Sequence, residues 1–151
     1  MHQPAALYNA LAFVADAVNP TLAVVALTQV ALGFRRGQRR ALLLMALPAA
    51  LGVLGIYAVK FLDEMLMIWQ RYHGDYSTHT AFATTLVLSL VVWRPRWKAA
   101  LVGTWLAYLG LILFMGYHTL RDVVTAVVVA VAVTVPWHWL MKRYAKIRQP
   151  L

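Results

Sequence analysis

The sequence predicts an all-α fold, an integral membrane bundle of about five transmembrane helices plus an N-terminal interfacial or re-entrant helix, in a single domain over residues 1–151. Three observations carry that prediction. The chain is 62% hydrophobic and 13% charged, with a mean hydropathy of +0.67, whereas soluble domains run at about 45–50% apolar and about 25% charged. Its apolar residues gather into runs close to the ~20 residues that a bilayer crossing needs. Its basic residues gather into three short segments between those runs.

The first apolar run covers residues 5–34 and is interrupted by Asp16, Asn19 and Pro20. Residues 5–17 read as the interfacial or re-entrant helix and residues 20–34 as the first span. One long helix kinked near Pro20 is the competing reading, because proline removes a backbone donor and crowds the preceding turn. The second span covers residues 41–59. Residues 60–76 read as a polar connection holding Asp63, Glu64, Arg71, His73 and Asp75, with Asp63 and Glu64 as solvated loop charges. The third span covers residues 77–93, with Ser77 as its N-cap. The fourth covers 99–115 and the fifth 119–141. No cleavable leader is expected, since the start lacks a basic segment and carries Asp16 within its apolar run.

Eleven of the fourteen Lys and Arg residues fall in residues 35–40, residues 94–98 and the tail from Lys142. Five spans put all three segments on one side, which the positive-inside rule assigns to the cytoplasm. The N-terminus is then outside and the C-terminus inside. Trp93, Trp97, Trp137 and Trp139 fall near the cytoplasmic boundary, as an aromatic belt would. The net charge of +9 therefore reads as loops meeting anionic lipid, with no nucleic-acid partner. All five acids lie at or near the opposite, outer side. The absence of cysteine excludes disulfides, thiolate nucleophiles and Cys-ligated metals.

In this topology His79, His118 and Asp122 reach the same outer face at the same depth. His118 and Asp122 are spaced i, i+4, which on one helix brings their side chains within reach. A carboxylate bonded to one imidazole nitrogen fixes the tautomer and leaves the other nitrogen as nucleophile or base. His79 is placed to protonate a leaving oxygen. The helix N-termini at this face favour an anion, and Lys60, Arg71 and Arg121 supply cations. His2, His73 and His138 read as interfacial side chains. A metal site is the weaker reading, because a carboxylate paired to His118 is already engaged. A transporter is weaker still, because the third to fifth spans show no polar series for an ion path.

At these residues the sequence resembles the type 2 phosphatidic acid phosphatase superfamily, which includes lipid phosphatases and, more distantly, sphingomyelin synthases. The stretch Tyr76-Ser77-Thr78-His79-Thr80-Ala81 is similar to the family motif Pro-Ser-Gly-His-Thr-Ala. The stretch Gly116-Tyr117-His118-Thr119-Leu120-Arg121-Asp122-Val123 is similar to Gly-x-His-x-x-x-Asp-Val. The resemblance covers roughly residues 60–130. It implies that His118 forms a phosphohistidine, that Asp122 orients it and that His79 protonates the leaving group, without metal or other cofactor. It places Lys60, Arg71, Asp75, Ser77, Thr78 and Arg121 around the phosphate.

The family's Pro and Gly are Tyr76 and Thr78 here, and its Arg six residues before the second histidine falls on Ile112. Loss of that clamp suits a singly charged phosphodiester better than a phosphomonoester, and Gly74-Asp75-Tyr76-Ser77-Thr78-His79-Thr80 is somewhat similar to the sphingomyelin synthase motif. The expected function is a lipid phosphatase or phosphotransferase at the outer leaflet of a plasma membrane, such as a bacterial inner membrane. The expected substrate is a lipid phosphate, lipid pyrophosphate or phospholipid. A catalytically inactive lipid-binding or lipid-moving relative is the alternative, and assembly as monomer or homodimer is open.

Overall fold

The computed structural model describes residues 5–147, without the side chains of residues 5, 39–42 and 145–147. Five α-helices follow in order: α1 Ala5–Arg35, α2 Arg39–Leu66, α3 Thr78–Trp93, α4 Lys98–Phe114 and α5 Leu120–Ile147, with 3-10 turns at Gln70–Tyr72 and Pro95–Trp97. Among the described residues there is no strand. Four helices, all but α3, belong to segments long and apolar enough to cross a membrane. Their outward faces carry large apolar side chains such as Val24, Leu27, Leu54, Phe61, Leu106 and Val128.

The helix α3 differs from the other four. Its 16 residues span about 24 Å at 1.5 Å per residue, short of a ~30 Å hydrocarbon layer. It packs against all four other helices, and most of its residues are buried. A helix enclosed by its neighbours does not need the length of one that faces the surroundings on its own.

Three expectations are corrected. Residues 5–17 form no separate re-entrant helix. α1 is continuous through Pro20, because a proline within a helix costs one backbone bond and local crowding while neighbouring turns keep theirs. α2 runs seven residues past the expected boundary of 59 to Leu66, so Lys60, Asp63 and Glu64 are helical. Asp63 is buried and its Oδ1 accepts from the Trp69 amide at 2.8 Å, while Glu64 pairs with Lys60 one turn earlier at 2.9 Å. These are therefore not loose loop charges.

The third correction concerns polarity inside the bundle. Thr80, Thr84, Thr85 and Ser89 of α3 are buried, as are Thr134 and His138 of α5. Thr85 and Thr134 hydroxyls meet at 3.2 Å, and the Ser89 hydroxyl meets His138 Nε2 at 3.0 Å. Ser89 and Thr84 also donate to the carbonyls one turn back, at 2.9 and 2.7 Å. A polar series therefore exists in these helices, and His138 is a buried side chain, not an interfacial one. Each of these hydroxyls has a protein partner, so the seam serves as interhelical glue. α2 closes onto the same seam through glycine. A Cβ at Gly52 would lie 2.9 Å from Thr134 Oγ1, and one at Gly55 would collide with Val133.

The helices alternate in direction. One end of the bundle holds the starts of α1, α3 and α5 and the ends of α2 and α4. The other end gathers the basic segments, where Arg94 Nε donates to Gln29 at 2.8 Å and Trp93 Nε1 to the Met45 carbonyl at 3.1 Å.

Candidate active site

Ser77 starts α3 as expected. Its hydroxyl accepts from the Thr80 amide at 3.4 Å and donates to the Thr80 hydroxyl at 2.8 Å. With that cap fixed, Thr78 and His79 fall on the first turn and line a cavity of about 860 Å³. Ser77 itself is buried and does not line this cavity.

His118 arrives from the α4–α5 turn. The α4 end closes with the Gly116 amide on the Leu113 carbonyl at 3.1 Å and the Tyr117 amide on Ile112 at 3.2 Å. This double closure requires a left-handed residue, and Gly116 has φ +69°. Ile112 is buried, and its carbonyl anchors the turn that presents His118. α5 then begins with a capping box. The Thr119 hydroxyl accepts from the Asp122 amide at 3.3 Å, and Asp122 Oδ2 accepts from the Thr119 amide at 3.0 Å and hydroxyl at 2.6 Å.

That box overturns the expected His118–Asp122 bond. His118 precedes α5, so the i, i+4 rule for one helix does not apply to the pair. The second Asp122 oxygen, Oδ1, accepts from the Asp75 amide at 2.9 Å. Asp122 is thus a strut between the start of α5 and the loop before α3. A Cβ on Gly74 would lie 2.8 Å from Asp122 Oδ1 and 2.7 Å from Arg121 Nη2, so any larger residue there would push these side chains aside. The carboxylate nearest the His118 ring is Asp75, whose Oδ2 lies 3.8 Å from His118 Nδ1. That separation is longer than a hydrogen bond.

The same loop is held by Trp69, whose Nε1 donates to Thr125 at 2.9 Å and whose ring lies 4.9 Å from that of Tyr76. Tyr76 is 2% exposed and its hydroxyl has no partner among the described residues. Burial, with the Asp63 carboxylate nearby, pushes this phenol up to about 12, so it stays a neutral hydroxyl.

Of the expected phosphate ligands, Lys60, Asp75 and Thr78 line the cavity with His79 and His118. The two arginines do not. Arg71 is exposed on its 3-10 turn. The Arg121 guanidinium donates to the Tyr72 carbonyl and borders a different hollow, with Ile68, Trp69 and Thr125. Lys60 is the cation that remains, and Glu64 holds it.

Sequence reasoning missed the fourth wall. α1 contributes Asp16, Asn19, Pro20 and Ala23 to the cavity. Asn19 Nδ2 donates to the His79 carbonyl at 3.3 Å and to the Tyr108 hydroxyl at 3.2 Å, so it ties α1 to the first turn of α3 and to α4. The available signal was an acid within an apolar run, next to Asn-Pro. A smaller space of about 180 Å³ adjoins, sharing Asp16, His79 and His118 and adding Tyr108, Ile112 and Tyr117. Among the described residues, no three His, Asp or Glu side chains are grouped to hold a metal ion.

The cavity is amphipathic. Asp16, Lys60, Asp75, His79 and His118 are its polar side, and Pro20, Ala23 and Phe82 continue it along the helices. Compared with protein-family models, with curated proteins and with solved structures, the chain matches none.

Proposed function

We propose that this protein is an integral membrane lipid phosphatase or phosphotransferase that works through a phosphohistidine on His118. The observation that carries the proposal is that His79 and His118, from two separate helix starts, line one cavity with apolar residues beyond them. In this reading all five helices cross the bilayer, with α3 enclosed by the others. The basic end is cytoplasmic and the cavity opens at the outer leaflet. The apolar outer faces of α1, α2, α4 and α5 support membrane insertion, since soluble monomers rarely expose contiguous apolar patches above a few hundred Å².

Asp75 near Nδ1 favours a proton there and leaves Nε2 as the nucleophile. Nε2 attacks phosphorus, the P–O bond to the leaving alcohol or phosphate breaks, and His79 supplies the proton that the leaving oxygen takes up. In the second step water or an acceptor alcohol attacks phosphorus, His79 takes its proton, and the P–N bond breaks. Lys60 and the α3 N-terminus face the phosphate charge. Asp75 and Asp122 are positioning residues, the first for the His118 ring and the second for the loop that bears Asp75.

The test is turnover by the purified protein in detergent on lipid phosphates, lipid pyrophosphates and phosphodiester lipids, with and without EDTA. We expect EDTA-resistant release or transfer that His118→Ala abolishes while the protein stays folded. Turnover unaffected by His118→Ala would contradict the mechanism. A second reading, a lipid-binding protein without turnover, draws on Ile112 at the clamp position and on the pairing of Lys60 with Glu64. It predicts lipid binding that His118→Ala leaves in place, with no product from any lipid.

A further inference from the structure

The cavity's charges do not match a doubly charged phosphate. Its fixed ionic residues are Asp16, Asp75 and Lys60, and the lysine is already paired with Glu64. Two carboxylates therefore face at most one shared ammonium. A phosphomonoester carrying close to two negative charges would meet more repulsion here than a phosphodiester carrying one.

The imbalance has a definite location. Asp16 has no ion pair or hydrogen bond among the described residues, although it sits on a helix of membrane-spanning length and lines the cavity. Pro20 lies four residues on and has no N–H, so the Asp16 carbonyl lacks its ordinary helical donor. Asn19 gives its amide hydrogens to His79 and Tyr108, and its Oδ1 is buried with no donor among the described residues. α1 thus brings one carboxylate without an ion pair, Asp16, to the cavity that the two histidines line. Asp16 is exposed at the cavity, and a carboxylate with no cation of its own favours a ligand that carries one. A primary ammonium brings three donors and a positive charge.

Resting on the phosphotransfer reading above, we infer that the cavity takes a zwitterionic phosphodiester lipid whose headgroup carries a primary amine, with the phosphate at His118 and His79 and the ammonium held by Asp16 and its neighbours on α1. The substrate's own cation then supplies the charge that the protein's arginines do not. Asp16 is in this account the residue that sets headgroup specificity.

The experiment uses the full chain in detergent micelles. It compares a phosphodiester lipid with an aminoethyl headgroup, the same lipid with a trimethylated amine, one with a glycerol headgroup, and the matching phosphomonoester, all with identical acyl chains. Each lipid is labelled in both the lipid and the headgroup part, so that cleavage on either side of phosphorus is read. We expect the aminoethyl lipid to lead. Asp16→Asn should lower its kcat/KM by about two- to fivefold, the loss of roughly one exposed ion pair. The same change should raise turnover of the glycerol lipid and the phosphomonoester, and Asp16→Glu should restore the original order.

A wild-type preference for the phosphomonoester, equal use of the trimethylated lipid, or an order unmoved by Asp16→Asn would each overturn the inference. If no lipid turns over, lipid binding followed by tryptophan fluorescence decides. Binding of the aminoethyl lipid that weakens in Asp16→Asn would uphold the headgroup assignment while removing the chemistry, and binding indifferent to Asp16 would remove the assignment as well.

Discussion

The seam between α2, α3 and α5 and the cavity beside α1 use similar side chains to opposite ends. In the seam, hydroxyls meet each other, a histidine or a backbone carbonyl, and Gly52 and Gly55 bring α2 close to α5. In the cavity, the exposed Asp16 carboxylate has no ion pair or hydrogen bond among the described residues. The seam hydroxyls are buried and paired, as buried polar groups ordinarily are, and read as architecture, whereas the cavity keeps its charges open to a ligand. A change in the seam should act on assembly and a change at the cavity on chemistry.

The largest effect is expected at His118. His118→Ala should reduce turnover by a factor on the order of 10⁴, as loss of a nucleophile does, with thermal unfolding in detergent unchanged. Equal loss of folding would move His118 to the structural side. Next comes Gly55→Leu, which drives a side chain into Val133. Overpacking of this kind costs about 1–3 kcal/mol or more, seen as a lowered unfolding midpoint and loss of activity together. Gly74→Ala sits between the regions. Its Cβ would displace Asp122 from the Asp75 amide, and we expect kcat to fall by about 10- to 100-fold from misplacement with a smaller loss of stability. Thr85→Val should do least. It removes one interhelical hydroxyl pair, worth ~0.6 kcal/mol, and should leave kcat alone. A large kcat effect from Thr85→Val would break the division between seam and cavity.

The parts of this arrangement that were legible in the sequence are the local ones. Helical segments followed from apolar run length, and the Ser77 cap followed from a hydroxyl residue before an apolar run. His79 and His118 were placed on one face by alternation of helix direction alone. The His118–Asp122 pairing was misjudged because i, i+4 reach presumes a shared helix. The sequence Thr119-Leu120-Arg121-Asp122 also contains a capping box, and that box consumes the carboxylate. The role of Asp75 was hidden because it depends on a bond from residue 75 to residue 122. The loss of Arg121 from the site likewise depends on the Tyr72 carbonyl, 49 residues away in sequence. The α1 wall was hidden for the same reason, since only tertiary packing brings Asp16 and Asn19 against His79. Polarity within α3 and α5 was discounted because threonine and serine in an apolar run do not announce which side they face.

The central claim is that His118 carries the phosphoryl group between donor and acceptor. The most direct measurement is to quench the reacting protein under alkaline conditions, which preserve an N-phosphorylated imidazole, and to map the adduct by mass spectrometry. The account predicts one modified site, His118, formed in the time of one turnover, discharged on adding acceptor, and absent from His118→Ala. An adduct on another residue, or steady turnover with His118 unmodified at every time point, would contradict it.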